Sequence, residues 1–189
     1  MSKLLDLRKS IVLVGMMGAG KTSVGRILAG KLALPFLDAD AEIEAAAQST
    51  IEEIFAHDGE AVFRSGERRV IARLLDGPVA VIATGGGAFM NAETRERIRA
   101  RGISIWLRAD LDLLLKRVAR RKDRPLLKTG DMRETLVKLL AEREPVYAQA
   151  DIAVDSGEQS AELVADKVLA ALQAHLAAPL EGPLQGTGS

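Results

Sequence analysis

The chain has no cysteine. This excludes a disulfide framework, a thiolate-held zinc or iron-sulfur centre and a thiol nucleophile, and it permits a reducing compartment. It also lacks an excess of either charge: 26 basic residues stand against 26 acidic ones, so no long-range field marks a dedicated nucleic-acid or polyanion binder. No stretch approaches the roughly 18 to 20 uninterrupted apolar residues of a membrane span. The first ten residues carry Lys3, Asp6, Arg8 and Lys9, where a signal peptide needs an apolar run. The expectation is a cytoplasmic protein. What the chain does have is 189 residues, 48% of them hydrophobic and 3% aromatic, enough for one soluble domain whose core needs neither disulfides nor structural metal.

Five short apolar runs punctuate the sequence: Ile11 to Val14, Pro35 to Leu37, Val79 to Ala83, Ile103 to Leu107 and Ile152 to Val154. Each is too short for a helix, none alternates with polar residues, and the gaps leave room for at least one helix between neighbours. This pattern suits strands buried on both faces of a parallel sheet, an α/β sandwich. Helical periodicity fills the gaps over Thr22 to Leu32, Ala41 to Ala47, Ile51 to Ala56, Glu60 to Leu75, Ala92 to Arg101, Leu111 to Ala119, Met132 to Ala148 and Gln159 to Leu176. Asn91, Asp110 and Ser49 or Thr50 stand where N-caps belong. The single domain is expected to span residues 1–178. The tail 179–189, with two prolines and three glycines, has almost nothing to bury and is expected to be disordered.

Directly after the first apolar run stands Gly15-Met16-Met17-Gly18-Ala19-Gly20-Lys21-Thr22, then Ser23 and a helix. This is G-x-x-x-x-G-K-T, expected by chance in under about one chain in a hundred from ordinary residue usage. The glycines let successive N–H groups turn inward on a polyphosphate, and the following helix adds its unpaired amides and positive dipole end. Lys21 is then placed to bridge the β- and γ-phosphates, and the Thr22 hydroxyl to ligate Mg²⁺.

A GTPase would need an Asn-Lys-x-Asp guanine reader, but the only asparagine is Asn91, followed by Ala92. Helicases and AAA-type motors carry an acidic pair after an apolar strand. Here Val79 to Ala83 runs instead into Thr84-Gly85-Gly86-Gly87. The acidic element follows the second run, as Phe36-Leu37-Asp38-Ala39-Asp40. On an extended segment the two carboxylates would point the same way, at the carboxyl end of the sheet where open α/β folds bind ligands. One could hold hydrated Mg²⁺ and the other orient and deprotonate an attacking hydroxyl. An Asx turn capping the next helix is compatible with either role.

With these elements in this order, the chain resembles the shikimate kinase family from about Ile11 to about Val154. The resemblance is carried by Gly15 to Thr22, Phe36 to Asp40, Ile54-Phe55, Asp58-Gly59-Glu60, Phe63-Arg64, Gly85 to Gly87, Arg124-Pro125-Leu126-Leu127 and Arg143-Glu144-Pro145-Val146-Tyr147. It implies a P-loop, nucleoside-monophosphate-kinase-like fold: a five-stranded parallel sheet in a three-layer sandwich, a substrate-binding region over about 40–75 and a mobile lid over about 119–131. It implies ATP-dependent phosphorylation of the 3-hydroxyl of shikimate, with Mg²⁺. Residue by residue, Asp40 contacts the shikimate hydroxyls and Asp38, with Thr22, holds the metal. Arg64, Arg143 and Gly85 to Gly87 bind the substrate, including its carboxylate. Arg124 reaches the ATP phosphates, Arg117 packs on adenine, and Gly18, Ala19, Gly20, Lys21, Thr22 and Ser23 complete the ATP site. Lys21, Asp40 and Arg124 form the catalytic set.

The physics of these residues is consistent with those roles. A planar guanidinium binds a carboxylate bidentately, and three successive glycines allow close backbone approach to a ligand. Arg64 by itself would equally suit a solvated helix face beside Glu60, Glu67 and Arg68. Lys116 to Lys128 holds seven basic residues against Asp123, a local balance that can bind nucleic acid. No aromatic residue is interleaved for stacking on bases, and a phosphate-covering lid fits its place in the chain. The expected partners are therefore shikimate and ATP, with neither nucleic acid nor membrane, and the expected state is a monomer. Competing readings are another small-molecule kinase of the same fold, acting on gluconate or a nucleoside monophosphate, and a non-catalytic nucleotide-binding regulator. The segment Asp155 to Gln159 lacks a basic residue for the adenine loop, so adenine contacts there rest on backbone groups. His57 and His175 match no motif and are expected on helix surfaces.

Overall fold

A computed structural model of the protein describes residues 7–120 and 131–178. Among the described residues the chain forms five strands, β1 (Ser10–Val14), β2 (Phe36–Asp38), β3 (Val81–Ala83), β4 (Gly102–Arg108) and β5 (Ile152–Asp155). Among the described residues the helices are α1 (Lys21–Leu32), α2 (Ala39–Ala47), α3 (Ile51–His57), α4 (Gly59–Asp76), α5 (Ala92–Arg101), α6 (Leu111–Val118), α7 (Met132–Tyr147) and α8 (Ala161–Ala177), with a single 3-10 turn at Ala88–Met90. All strand pairings are parallel, in the order β2-β3-β1-β4-β5. The register sets Ile11 of β1 between Val81 and Ile103.

Every residue of β1, and Gly102 to Leu107 of β4, is buried. Side chains alternate along a strand, so continuous burial requires cover on both faces. Helices supply it: α1 packs on β3 and against α8, α8 packs on β5, and α5 packs on β4 and against α4. The result is the expected three-layer α/β sandwich. Its core is aliphatic, with Ile11, Leu13, Leu28, Ile82, Ile105, Leu107 and Leu172 at most 1% exposed.

Polar punctuation fixes the helix starts. Asn91 accepts from the Thr94 amide and Asp110 from the Leu113 amide. Thr50, rather than Ser49, caps α3 in a reciprocal box with Glu53, which satisfies two otherwise orphaned donors. The strand at Val79 to Ala83 is shortened to Val81–Ala83.

One local expectation is corrected. Asp38 and Asp40 do not share an extended segment, because α2 begins at Ala39, two residues before the expected Ala41. The cause is Asp38 itself: its Oδ1 accepts from the Asp40 and Ala41 amides at 3.1 and 3.4 Å, which starts the helix and puts Asp40 in its first turn. His57 and His175 are exposed on α3 and α8 as expected. The tail 179–189, and most of the lid including Arg124, lie outside the described residues. No helix among the described residues is long and apolar enough to cross a membrane.

Candidate active site

Two adjoining cavities, about 340 and 440 Å³, open at the carboxyl ends of β1, β2 and β3. Three segments build them: the loop from β1 into α1, the step from β2 into α2, and the glycine turn that follows β3. The central strand β1 has β3 on one side and β4 on the other, so the chain diverges here, which is where open parallel sheets form ligand crevices.

The first cavity is lined by Gly18, Gly20, Lys21, Thr22, Ser23 and Arg117. Gly20 caps α1 at φ 97°, a left-handed conformation that a side chain would strain. Its place lets the loop wind onto the helix N-terminus, where the α1 amides and dipole favour an anion. Lys21, 8% exposed, donates from Nζ to the Gly15 and Met16 carbonyls at 2.7 and 2.8 Å. Ala19 is buried behind the loop rather than lining the cavity, and its carbonyl accepts from Ser156 Oγ at 2.8 Å. Arg117 reaches across the cavity. One of its terminal nitrogens donates to the Gly18 and Ala19 carbonyls and to Ser156 Oγ, and the other to the Gly157 carbonyl at 3.0 Å. The guanidinium thus ties the β1–α1 loop to the segment after β5. Gln159 and Ser156 also line this cavity.

The second cavity is lined by Arg64, Glu67, Gly87, Arg143, Phe55 and Phe63. Arg64 and Glu67 come from α4 and Arg143 from α7, so two guanidinium groups on separate helices face one space. Arg143 is 8% exposed. A Cβ on Gly87 would lie 2.6 Å from the Arg64 guanidinium, so only glycine lets backbone and guanidinium approach this closely. Arg64 is not the solvated helix-face charge its neighbours allowed: its side chain is 25% exposed, and it donates to Glu67 Oε2 at 2.8 Å and more loosely to Glu60.

Glu67 was missed as a site residue. It is 3% exposed, and its Oε1 has no hydrogen-bond partner among the described residues. A Cβ on Gly85 would meet this oxygen at 3.1 Å and Asp40 Oδ1 at 2.9 Å, which places both carboxylates against the glycine turn. Burial pushes the Glu67 pKa above the ordinary glutamate value; Arg64 and Arg143 pull it down, and the nearby Asp40 charge adds to the rise. Its sequence signal was an acidic residue inside the buried stripe Phe63, Glu67, Val70, Ile71 and Leu74 of α4, since an acid at a core-facing position usually has a specific partner.

Thr22, Asp38, Asp40, Gly85 and Gly86 line both cavities. Thr22 Oγ1 donates to Asp38 Oδ2 at 3.0 Å, so Asp38 caps α2 with one oxygen and meets the first turn of α1 with the other. This hydroxyl and carboxylate are hard oxygen donors on an open wall. No cluster of three or more His, Cys, Asp or Glu side chains suited to a metal occurs among the described residues. That donor set fits Mg²⁺, which takes one or two protein oxygens and completes its shell with phosphate and water. The arrangement can hold a polyphosphate on one side, a small carboxylate-bearing polyol on the other, and an acid or base where the two meet.

The profile of the shikimate kinase family matches residues 17–173. The chain is 59% identical over 161 residues to the shikimate kinase of Paramagnetospirillum magneticum, covering 85% of this chain and 83% of that one. It is 57% identical over 161 residues to that of Bradyrhizobium diazoefficiens, covering 85% and 78%. The solved structure of Acinetobacter baumannii shikimate kinase in complex with shikimate superposes with a TM-score of 0.89 at 39% identity, covering 94% of this chain and 100% of that one.

Proposed function

The chain belongs to the shikimate kinase family, and from that premise we propose that it phosphorylates the 3-hydroxyl of shikimate with ATP in the two cavities described, with the roles that follow. The observation that carries this reading is the shared wall. Thr22, Asp38, Asp40, Gly85 and Gly86 border both spaces, so a donor held in one and an acceptor held in the other meet at the same residues.

ATP lies in the first cavity, its phosphates on the amides of Gly18 to Ser23 and its adenine beside Arg117. Shikimate lies in the second. Arg64 and Arg143 hold its carboxylate, a task for which forked guanidinium groups are suited, and the amides of Gly85 to Gly87 hold the ring from one side. Asp40 accepts a hydrogen bond from the 3-hydroxyl and aims its oxygen at the γ-phosphorus. As the new O–P bond forms, the bond from the γ-phosphorus to the bridging oxygen breaks, ADP departs, and the hydroxyl proton passes to Asp40. Lys21 exchanges its loop carbonyls for phosphate oxygens and offsets the charge on the transferring group. Arg124, outside the described residues, serves the same end by family resemblance. Thr22 and Asp38 would hold Mg²⁺, which when bound supplies charge neutralisation of the ATP phosphates. We infer further that the protein works as a monomer in the cytoplasm, a reducing compartment that its lack of cysteine permits.

Release of ADP from Mg²⁺-ATP, measured against a panel of shikimate, gluconate and nucleoside monophosphates, tests the substrate. Shikimate is expected to be the only efficient acceptor. Asp40→Asn is expected to lower kcat by roughly 10²–10⁴-fold, the usual weight of a positioned acid or base. Full turnover with ordinary substrate affinity in that variant would remove Asp40 from the mechanism.

A further inference from the structure

The glycine turn that meets the acceptor is too featureless to hold its own shape. Gly85, Gly86 and Gly87 have no side chains, and within the segment Gly85 accepts from the Ala88 amide and Gly87 from the Met90 amide. Two side chains reach it from outside the pocket, on different helices. From α7, the Tyr147 hydroxyl donates to the Gly86 carbonyl. From α5, one terminal nitrogen of Arg95 donates to both the Phe89 and Met90 carbonyls at 2.8 Å each. Neither residue lines either cavity.

Tyr147 is fully buried, its ring 5.9 Å from that of Trp106 on β4, and its oxygen lies 3.9 Å from Met16 Sδ in the β1–α1 loop. A peptide unit is planar and trans, so its C=O and N–H point in opposite directions. Anchoring the Gly86 carbonyl on Tyr147 therefore turns the Gly87 N–H to the other side of the turn, away from α7. Tyr147 also stands one helical turn beyond Arg143, whose guanidinium lies 3.1 Å from the position of a Gly86 Cβ. At the far end, Arg95 supplies donors to the terminal carbonyls of the 3-10 turn, groups that no helix bond satisfies.

We propose that Tyr147 and Arg95 are positioning residues for the acceptor: together they clamp the Gly85–Met90 segment so that its amides and Arg143 keep a fixed geometry towards shikimate. This rests on the assignment of shikimate to the cavity lined by Arg64, Gly87 and Arg143. Gly85 and Gly86 border both cavities, but Gly87 and Arg143 line only the acceptor cavity, so loss of the clamp falls on shikimate recognition far more than on nucleotide recognition. A packing role alone would instead lower the melting temperature and spare both KM values of the folded fraction.

The test is steady-state kinetics with each substrate varied in turn, on protein whose folding is checked by near-ultraviolet circular dichroism. Tyr147→Phe keeps the ring and removes the hydroxyl, and with it the bond to the Gly86 carbonyl and the one accepted from Arg143. Arg95→Met removes the donor, and Arg95→Lys restores a single nitrogen able to serve both carbonyls. Tyr147→Phe and Arg95→Met are each expected to raise the KM for shikimate roughly tenfold, the scale of one or two lost hydrogen bonds, with the KM for ATP unchanged within about twofold. Arg95→Lys is expected to recover most of that loss. A wild-type shikimate KM in either folded donor-less variant, or an equal rise in both KM values, overturns the proposal. If Tyr147→Phe does not fold, the Arg95 pair decides. Arg143→Ala is the control: should it also keep a wild-type shikimate KM, the acceptor cavity itself has been misassigned. If it raises that KM while Tyr147→Phe and Arg95→Met do not, the clamp alone is wrong.

Discussion

Glu67 concentrates the electrostatics of the acceptor cavity in one side chain. Its Oε2 accepts from Arg64, its Oε1 is buried without a partner among the described residues, and burial pushes its pKa above the ordinary value. In the ionised form it orients Arg64, whose own pKa is raised because Glu67 and Glu60 outweigh the cost of burial. Protonation removes that anchor as pH falls through the raised value. The KM for shikimate is therefore expected to rise on acidification, and Glu67→Gln, which carries no charge to lose, is expected to flatten that limb. Parallel pH profiles for wild type and Glu67→Gln would show the carboxyl to be irrelevant to Arg64.

At the scale of elements, the three segments that border both cavities each leave the carboxyl end of a strand and enter a helix or turn. Gly20 begins α1 with a left-handed residue, and Asp38 begins α2 with its side chain. These starts were partly legible in the sequence. The G-x-x-x-x-G-K-T spacing revealed the loop because its chemistry is local, and the caps at Asn91 and Asp110 stood beside the residues they serve. The onset of α2 was misjudged, since whether Asp38 bonds its own downstream amides or faces an open site depends on the β2–α1 packing that brings Thr22 within 3.0 Å. The roles of Glu67 and Tyr147 were harder to read for a related reason: Asp40, whose carboxylate lies near Glu67, and Gly86, which accepts from Tyr147, lie far off in the chain and meet them only after α4 and α7 have packed. Asp110 shows how separable such devices are from the chemistry. It caps α6 through the Leu113 amide at 2.8 Å and lines neither cavity. Asp110→Ala is expected to lower unfolding stability by about 1 kcal/mol in urea titrations, with the KM for shikimate unchanged.

Across the whole molecule, the balance of 26 basic and 26 acidic residues hides a division of labour between the two sides of the wall formed by Asp38 and Asp40. Lys21 of α1 and Arg117 of α6 line the first cavity, and Arg64 of α4 and Arg143 of α7 line the second. Tyr147 lies in the packed interior behind this site, and burial pushes its hydroxyl up to about 12 despite the opposing pull of Arg143. A tyrosine raised from its ordinary value favours the folded state while neutral. That contribution is whole below about pH 10, is lost as pH rises towards 12, and amounts to no more than about 2–3 kcal/mol. Urea unfolding at pH 9 and pH 11 is expected to show a larger loss of stability in wild type than in Tyr147→Phe, and equal losses would place the alkaline sensitivity elsewhere. The central claim, that this chain joins ATP and shikimate across one shared wall, is tested most directly by phosphorus-proton correlation NMR of the product formed from Mg²⁺-ATP and shikimate. The account expects one new phosphate monoester coupled to the proton on C3, appearing in step with ADP. A phosphate on another carbon, or folded ATP-bound protein that yields no shikimate phosphate at all, would contradict it.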